Sequence, residues 1–302
     1  MSRATENFKG RGHGIFRAAL CAALAAPALL VAGCHAAPAL LPPSLGTKHM
    51  GDYQVLVNYE ELRLDVRVND MPVLLNTRGQ GFGVYVINNL LIGADNTLTV
   101  TVKPPHGAAH APANASMHIN VTASSGQDGG NKGRVLYNYE WKMKDIHAPL
   151  PSLREHFQAQ PPSEPLSWQN AAKIQLTDAD KAAISAQIRR LYHAMETKNV
   201  AETAALLVSE AHDQAVGFGM PLAHLEADQR QGYQEDFSQS DWHLSPINYG
   251  ALEYDLYGGG RVVLVHTRDG RKVFTSAPDK DGSSVAFDPL LSQINGQWVI
   301  IK

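Results

Sequence analysis

This sequence has very little cysteine: two residues in 302, Cys21 and Cys34. So few thiols cannot staple a fold with disulfides, and its stability has to come from hydrophobic cores. Cysteine-ligated metal centres are excluded on the same count. Long apolar runs are scarce too. The run from Ala18 to Gly33 contains Pro27 and falls short of the roughly 20 residues a spanning helix needs. Beyond it, lysine and arginine nowhere cluster and the net charge is −3, so neither nucleic acid nor an acidic polymer is implied as a partner. No catalytic motif of recognisable spacing stands out. The apolar share of 44% is nevertheless that of a globular protein, which rules out wholesale disorder.

What is present begins with a basic stretch (Arg3, Lys9, Arg11, Arg17), an apolar centre and small residues at its end. That is the layout of a secretory signal. Val31-Ala32-Gly33-Cys34 resembles the lipobox of bacterial lipoproteins. The resemblance implies removal of 1–33, acylation of Cys34 and a membrane-attached mature chain facing the periplasm. His35, rather than Asp, follows the cysteine, which in that family implies the outer membrane. An alternative is ordinary cleavage after Ala37-Pro38-Ala39, giving a soluble periplasmic protein. Cys21 competes poorly, since Leu20 directly precedes it. Residues 34–50, rich in Ala and Pro from Ala36 to Pro43, read as a short stiff tether. With Cys21 lost and Cys34 acylated, the mature protein has neither disulfide nor thiol nucleophile.

Residues 51–145 have a β texture. Val55, Val57 and Tyr59 alternate with polar residues, as do Leu62, Leu64, Val66 and Val68, and the pattern recurs at Leu98 to Val102 and Met117 to Val121. A period of two turns one face inward. Asn69-Asp70, Gly93-Ala94-Asp95-Asn96 and Gly129-Gly130 supply turns. An antiparallel β-sandwich follows. Val66 to Val73 and the phrase Asn88 to Val100 resemble recurring strand-turn segments of galactose-binding-like and immunoglobulin-like modules. Tyr137, Tyr139 and Trp141 share one face, either as core or as an exposed strip able to bind a glycan. His106, His110 and His118 lie in or beside a Pro- and Ala-rich loop with no carboxylate among them, so no metal site is expected.

Residues 146–173 carry Pro149, Pro151, Pro161, Pro162 and Pro165 and read as an interdomain linker, with a short helical turn around Leu153 to Phe157. In 174–302 the period changes. Thr177-Asp178-Ala179-Asp180 opens a helix whose apolar face is Ile184, Ile188, Leu191, Tyr192 and Met195. A second helix is expected from Ala201 to about Ala211, then a turn at Gly217 and Gly219, then a third from Leu222 to Phe237. Strands are expected at Ala251–Tyr257, Arg261–Thr267, Lys272–Ala277, Ser284–Ile294 and Gln297–Lys302. Asp269-Gly270, Asp281-Gly282 and Asn295-Gly296 mark hairpins. Helices followed by a curved antiparallel sheet define an α+β domain. Leu191 to Asn199 and Asn295-Gly296-Gln297-Trp298-Val299-Ile300-Ile301 resemble the cone-shaped superfamily of nuclear transport factor two, ketosteroid isomerase and SnoaL-like proteins.

That resemblance speaks to fold rather than activity. Isomerase-like members set a carboxylate base opposite a tyrosine in an apolar pocket. Here Asp288 is the candidate base, with Tyr192, Tyr254 and His266 as partners and Asp255 and Asp241 as weaker choices. Two functions compete. One is a non-enzymatic binding or accessory lipoprotein for a protein or glycan partner, of which an immunity-type lipoprotein is one version. The other is an isomerase- or hydrolase-like enzyme acting on a small molecule in the cone pocket. No cofactor is implied by either.

Overall fold

The computed structural model describes residues 51–76, 79–124, 133–145, 148–278, 282 and 284–302. The signal segment, Cys34, the tether and the Gly129-Gly130 turn lie outside the described residues. Eight strands come first: β1 (Asp52–Glu60), β2 (Arg63–Val68), β3 (Met71–Asn76), β4 (Gly81–Val86), β5 (Asp95–Lys103), β6 (Ser116–Ser124), β7 (Arg134–Lys142) and β8 (Ser152–Gln158). They form two four-stranded antiparallel sheets, ordered β4-β1-β6-β7 and β3-β2-β5-β8. Val55 and Val57 from the first sheet and Val66, Val68, Leu98 and Val100 from the second are buried in one core.

Turn chemistry sets the registers. Asn69 and Asp70 both take positive φ, 52° and 62°, the conformation a tight hairpin turn requires of its two central residues. The Asn69 amide donates to the carbonyl of Leu90 and to Oδ1 of Asn96, each at 2.8 Å. Asn96 is fully buried, and its Oδ1 also accepts from the Ile92 N–H. Asn96, within the Asn88 to Val100 phrase, is therefore part of a polar clamp that holds the Asn69-Asp70 turn against the next strand.

One expectation is overturned here. The helical turn expected around Leu153 to Phe157 is strand β8, paired with β5 from Asp95↔Gln158 to Thr101↔Ser152. Leu153 and Phe157 both point inward. Their separation of four suits one face of a helix and one face of a strand equally, so spacing alone could not decide. Ser152–Gln158, assigned above to the linker, thus belongs to the second sheet.

The later part carries helices α1 (Asp178–Glu196), α2 (Val200–Leu206), α3 (Val208–Phe218) and α4 (Leu222–Phe237). Strands β9 (Leu252–Tyr257), β10 (Val262–Thr267), β11 (Phe274–Thr275), β12 (Ala286–Phe287), β13 (Leu290–Ile294) and β14 (Gln297–Ile300) follow. The main sheet is ordered β14-β13-β10-β9, and β11 pairs with β12 alone. Thr177 and Asp180 cap α1 reciprocally, each side chain bonding the other residue's N–H. The helix expected to stop near Ala211 does not. α2 ends at Leu206, and α3 runs on through Gly217 to Phe218. Only Gly219 ends it, in the left-handed conformation at φ 63°. The strand expected over Ser284–Ile294 is interrupted at Asp288-Pro289, where proline has no N–H for a ladder.

Ile184, Ile188, Leu191, Tyr233, Phe237, Trp242, Phe274 and Trp298 fill a second core, between helices and sheet. The first core does not stop at the strand-rich part. Leu166, Trp168, Val216, Tyr257, Val262, Leu264 and Ile301 are buried in it. Polar contacts reinforce this junction. The N–H groups of Gly258 and Gly259 donate to the carbonyl and the carboxylate of Asp70, at 3.2 and 2.8 Å. The fully buried Asn88 accepts from the Tyr53 N–H at 2.8 Å and donates to the carbonyls of Gly51 and Gly217. A Cβ on Gly217 would stand 2.8 Å from the carbonyl carbon of Asn88, so only glycine lets α3 approach this closely.

Candidate functional site

The four residues expected to share a pocket are each engaged elsewhere. Asp288 Oδ2 accepts from the Lys272 ammonium at 2.7 Å, and its Oδ1 accepts from the Val273 N–H at 3.0 Å. The Tyr192 hydroxyl donates to the Leu244 carbonyl at 3.4 Å. The Tyr254 hydroxyl meets Ser185 Oγ at 2.7 Å, tying β9 to α1. His266 Nε2 lies 2.9 Å from Asp255 Oδ2, on a strand pair where Asp255 is exposed. Asp241 is exposed in the turn before Trp242. None of the four bonds another among the described residues, so the structure does not bring them together as a base and its partners.

Tyr137, Tyr139 and Trp141 lie on β7 and pack, half-buried, against the first core. His118 sits on β6 and bonds Asn138 Oδ1 at 2.7 Å. Among the described residues no group of three or more His, Cys, Asp or Glu could hold a metal ion.

A groove of about 480 Å³ lies instead where the connector crosses the turn between α3 and α4. Its walls include Pro161, Glu164, His212, Val216, Met220 and Leu222. Closely spaced prolines keep the connector extended until Leu166 and Trp168 anchor it in the first core. The Ser167 N–H then donates to Asp213 Oδ1 at 2.7 Å. The same oxygen lies 3.2 Å from His212 Nδ1, and Ser167 Oγ lies 3.4 Å from that nitrogen. Burial pushes the Asp213 carboxyl up, while the Ser167 N–H and His212 draw it back down. His212 Nδ1 faces Asp213 and its Nε2 lies 3.7 Å from Glu164 Oε1, so the ring stands between two carboxylates.

This is an oriented imidazole on the rim of a groove with an apolar floor. It can accept a proton or hold a hydrogen-bond donor. Ser167 is not its nucleophile, because the hydroxyl and the carboxylate share one ring nitrogen instead of flanking the ring. His212, Asp213 and Glu164 were not singled out from the sequence. The only available signal was a His-Asp pair, and it fell where a helix was expected to have ended.

Deeper in the helices, Glu210 is buried and accepts from the Gln214 amide at 3.5 Å. Burial lifts its carboxyl to about 7, with Lys302 pulling it down and Asp213 pushing it up. Tyr233 is buried nearby, and burial, followed by the charge of Glu210, raises its hydroxyl. Comparison with family models, curated proteins and solved structures returns no significant match.

Proposed function

We propose that this chain is a lipid-anchored, periplasm-facing binding or accessory protein of the outer membrane. Acylated Cys34 holds an N-terminal β-sandwich fused to a C-terminal α+β cone. The observation that carries this reading is an exposed apolar strip on a rigid scaffold: Phe82, Val84 and Val86 along β4 are 69%, 47% and 44% exposed. Contiguous apolar surface that folding leaves uncovered marks an interaction site. A protein partner fits better than a glycan, because Tyr137, Tyr139 and Trp141 pack against the core instead of forming an open platform. Dense side chains between the helices and the main sheet, and the dispersal of Asp288, Tyr192, Tyr254 and His266, favour binding over catalysis in the cone.

Metabolic labelling with a fatty acid tests the anchor: label is expected on the native chain and absent from Cys34→Ala. An unlabelled native chain defeats the lipoprotein reading. Capture from solubilised membranes tests the binding role, with recovery of a protein partner, a second copy of this chain included, reduced by Phe82→Lys as the expected result. The His212 groove supports a second reading, a hydrolase-like activity with the imidazole as general base toward water. In that case His212→Ala abolishes turnover of small esters while thermal stability is kept.

A further inference from the structure

The four edge strands of the two sheets are not protected alike. Sheet edges carry unpaired N–H and C=O groups, and proteins blunt them with charge, proline or bulges. β7 carries Arg134, Glu140 and Lys142, and the β6–β7 ladder slips between Val121 and Thr122. β3 contains Pro72, and the β2–β3 ladder is irregular between Val66 and Arg67. β8 carries Arg154, Glu155 and His156. β4 reads Gly-Phe-Gly-Val-Tyr-Val, without charge or proline, and pairs with β1 in unbroken register.

The direction of its free backbone groups follows from one bond. The Ile87 N–H donates to the carbonyl of Tyr53, the residue directly opposite it. Antiparallel pairs alternate between bonded and non-bonded, so Tyr85, Gly83 and Gly81 turn their backbone groups toward β1. Phe82, Val84 and Val86 turn theirs to the open edge, where no described strand meets them. The same three residues that expose apolar side chains therefore also present backbone that no described residue pairs. A bilayer could cover the side chains but could not satisfy the N–H and C=O groups. A strand satisfies both.

We infer that β4 docks against β4 of a second copy of this chain, joining the two sheets into one of eight strands. An antiparallel two-fold axis through Val84 sets Val84 opposite its counterpart and Phe82 opposite Val86 of the second copy. All three residues are of the outward-bonding class, so each pair can exchange two N–H···O bonds. The strip is complementary to itself, and no charge opposes its counterpart.

The chain ahead of the fold is compatible with this arrangement. Gly51 enters β1 five positions before Leu56, the residue opposite Val84. The two Gly51 residues of such a dimer would lie about 35 Å apart. Gly51 is 17 positions beyond Cys34, a span that reaches on the order of 55 Å when extended, so both copies can be held on one membrane. That last point rests on acylation of Cys34, whereas the geometry of the edge does not. The patch is small against the roughly 1,200 Å² of stable interfaces, so the dimer is concentration-dependent and favoured by confinement on a surface.

Sedimentation of the full chain over a range of concentrations tests the inference, with Cys34→Ala measured in parallel. Reversible dimers are expected from both, which separates failure of the anchor from failure of the edge. Phe82→Lys should weaken association about tenfold or more. Val84→Cys should be linked to itself by a short bis-maleimide. Val135→Cys, on β7 and 56% exposed, should not. The linking pattern stands even if Phe82→Lys disturbs the fold. A chain that stays monomeric throughout, equal linking at 84 and 135, or a foreign segment held on β4 of a monomer would overturn the proposal.

Discussion

The strand-rich part of the molecule meets its surroundings in two opposite ways. At the junction with the helices, close approaches are matched by specific groups: Asn88 satisfies three backbone positions, Asp70 two, and Gly217 carries no side chain where a Cβ would meet the Asn88 backbone. At β4 the side chains are as apolar as in a core, yet no described strand covers them. Apolar character is thus a poor guide to which surfaces are committed within the fold. Polar complementarity separates the two, because buried N–H and C=O groups must be paired while exposed ones need not be.

The contrast can be broken most severely at Gly217. Replacing glycine by alanine within a helix ordinarily gains up to about 1 kcal/mol. Here the added methyl group meets the backbone of Asn88 and Asn89 at 2.8 Å. Gly217→Ala should therefore lose about 3 kcal/mol in urea denaturation, reversing the usual sign.

Glu210, on the same helix, gives a pH test of nearly equal size. In the folded chain burial holds its carboxyl up at about 7, whereas an ordinary glutamate in the unfolded chain titrates near 4.5. Between those values the folded state binds more protons at this site, so the stability Glu210 contributes is full below pH 4.5, falls as pH rises and levels off above 7. The loss is about 3 kcal/mol, and Glu210→Gln should flatten that slope.

Asn88→Ala should cost about 2 kcal/mol by stranding the Tyr53 N–H and the carbonyls of Gly51 and Gly217. At the other extreme, Phe82→Lys should change thermal stability by less than about 0.5 kcal/mol, since the ring is already exposed. A large loss there would mean that β4 is bound into the fold after all, and the contrast with the junction would collapse.

Local rules were legible where one residue type has one use. The capping hydroxyl of Thr177 and the acidic residues after it gave the start of α1, Leu222 to Phe237 was located in full, and Asp269-Gly270 forms a turn with Gly270 at φ 75°. What escaped depends on contacts far along the chain. Gly217 has the composition of a turn, and only its contact with Asn88 explains a glycine inside a helix. Both faces of β4 are apolar or aromatic, so alternation could not tell that Tyr85 faces inward and Val84 outward. The His212 groove depends on how the connector folds back over α3, which no local pattern encodes. Asp288 shows the converse: a carboxylate placed suggestively in sequence is held by Lys272 and the Val273 N–H next to a ladder break.

The position of β1 has a mechanical consequence. Gly51 leads directly into a strand flanked on both sides, by β4 and β6. A pull on Gly51 directed along that strand acts across hydrogen bonds that lie perpendicular to it. Both ladders are then loaded together in shear instead of being peeled one bond at a time, with the Asn88 amide gripping the Gly51 carbonyl as the first point of resistance. A load carried along β1 from Gly51 would therefore be shared by two ladders at once.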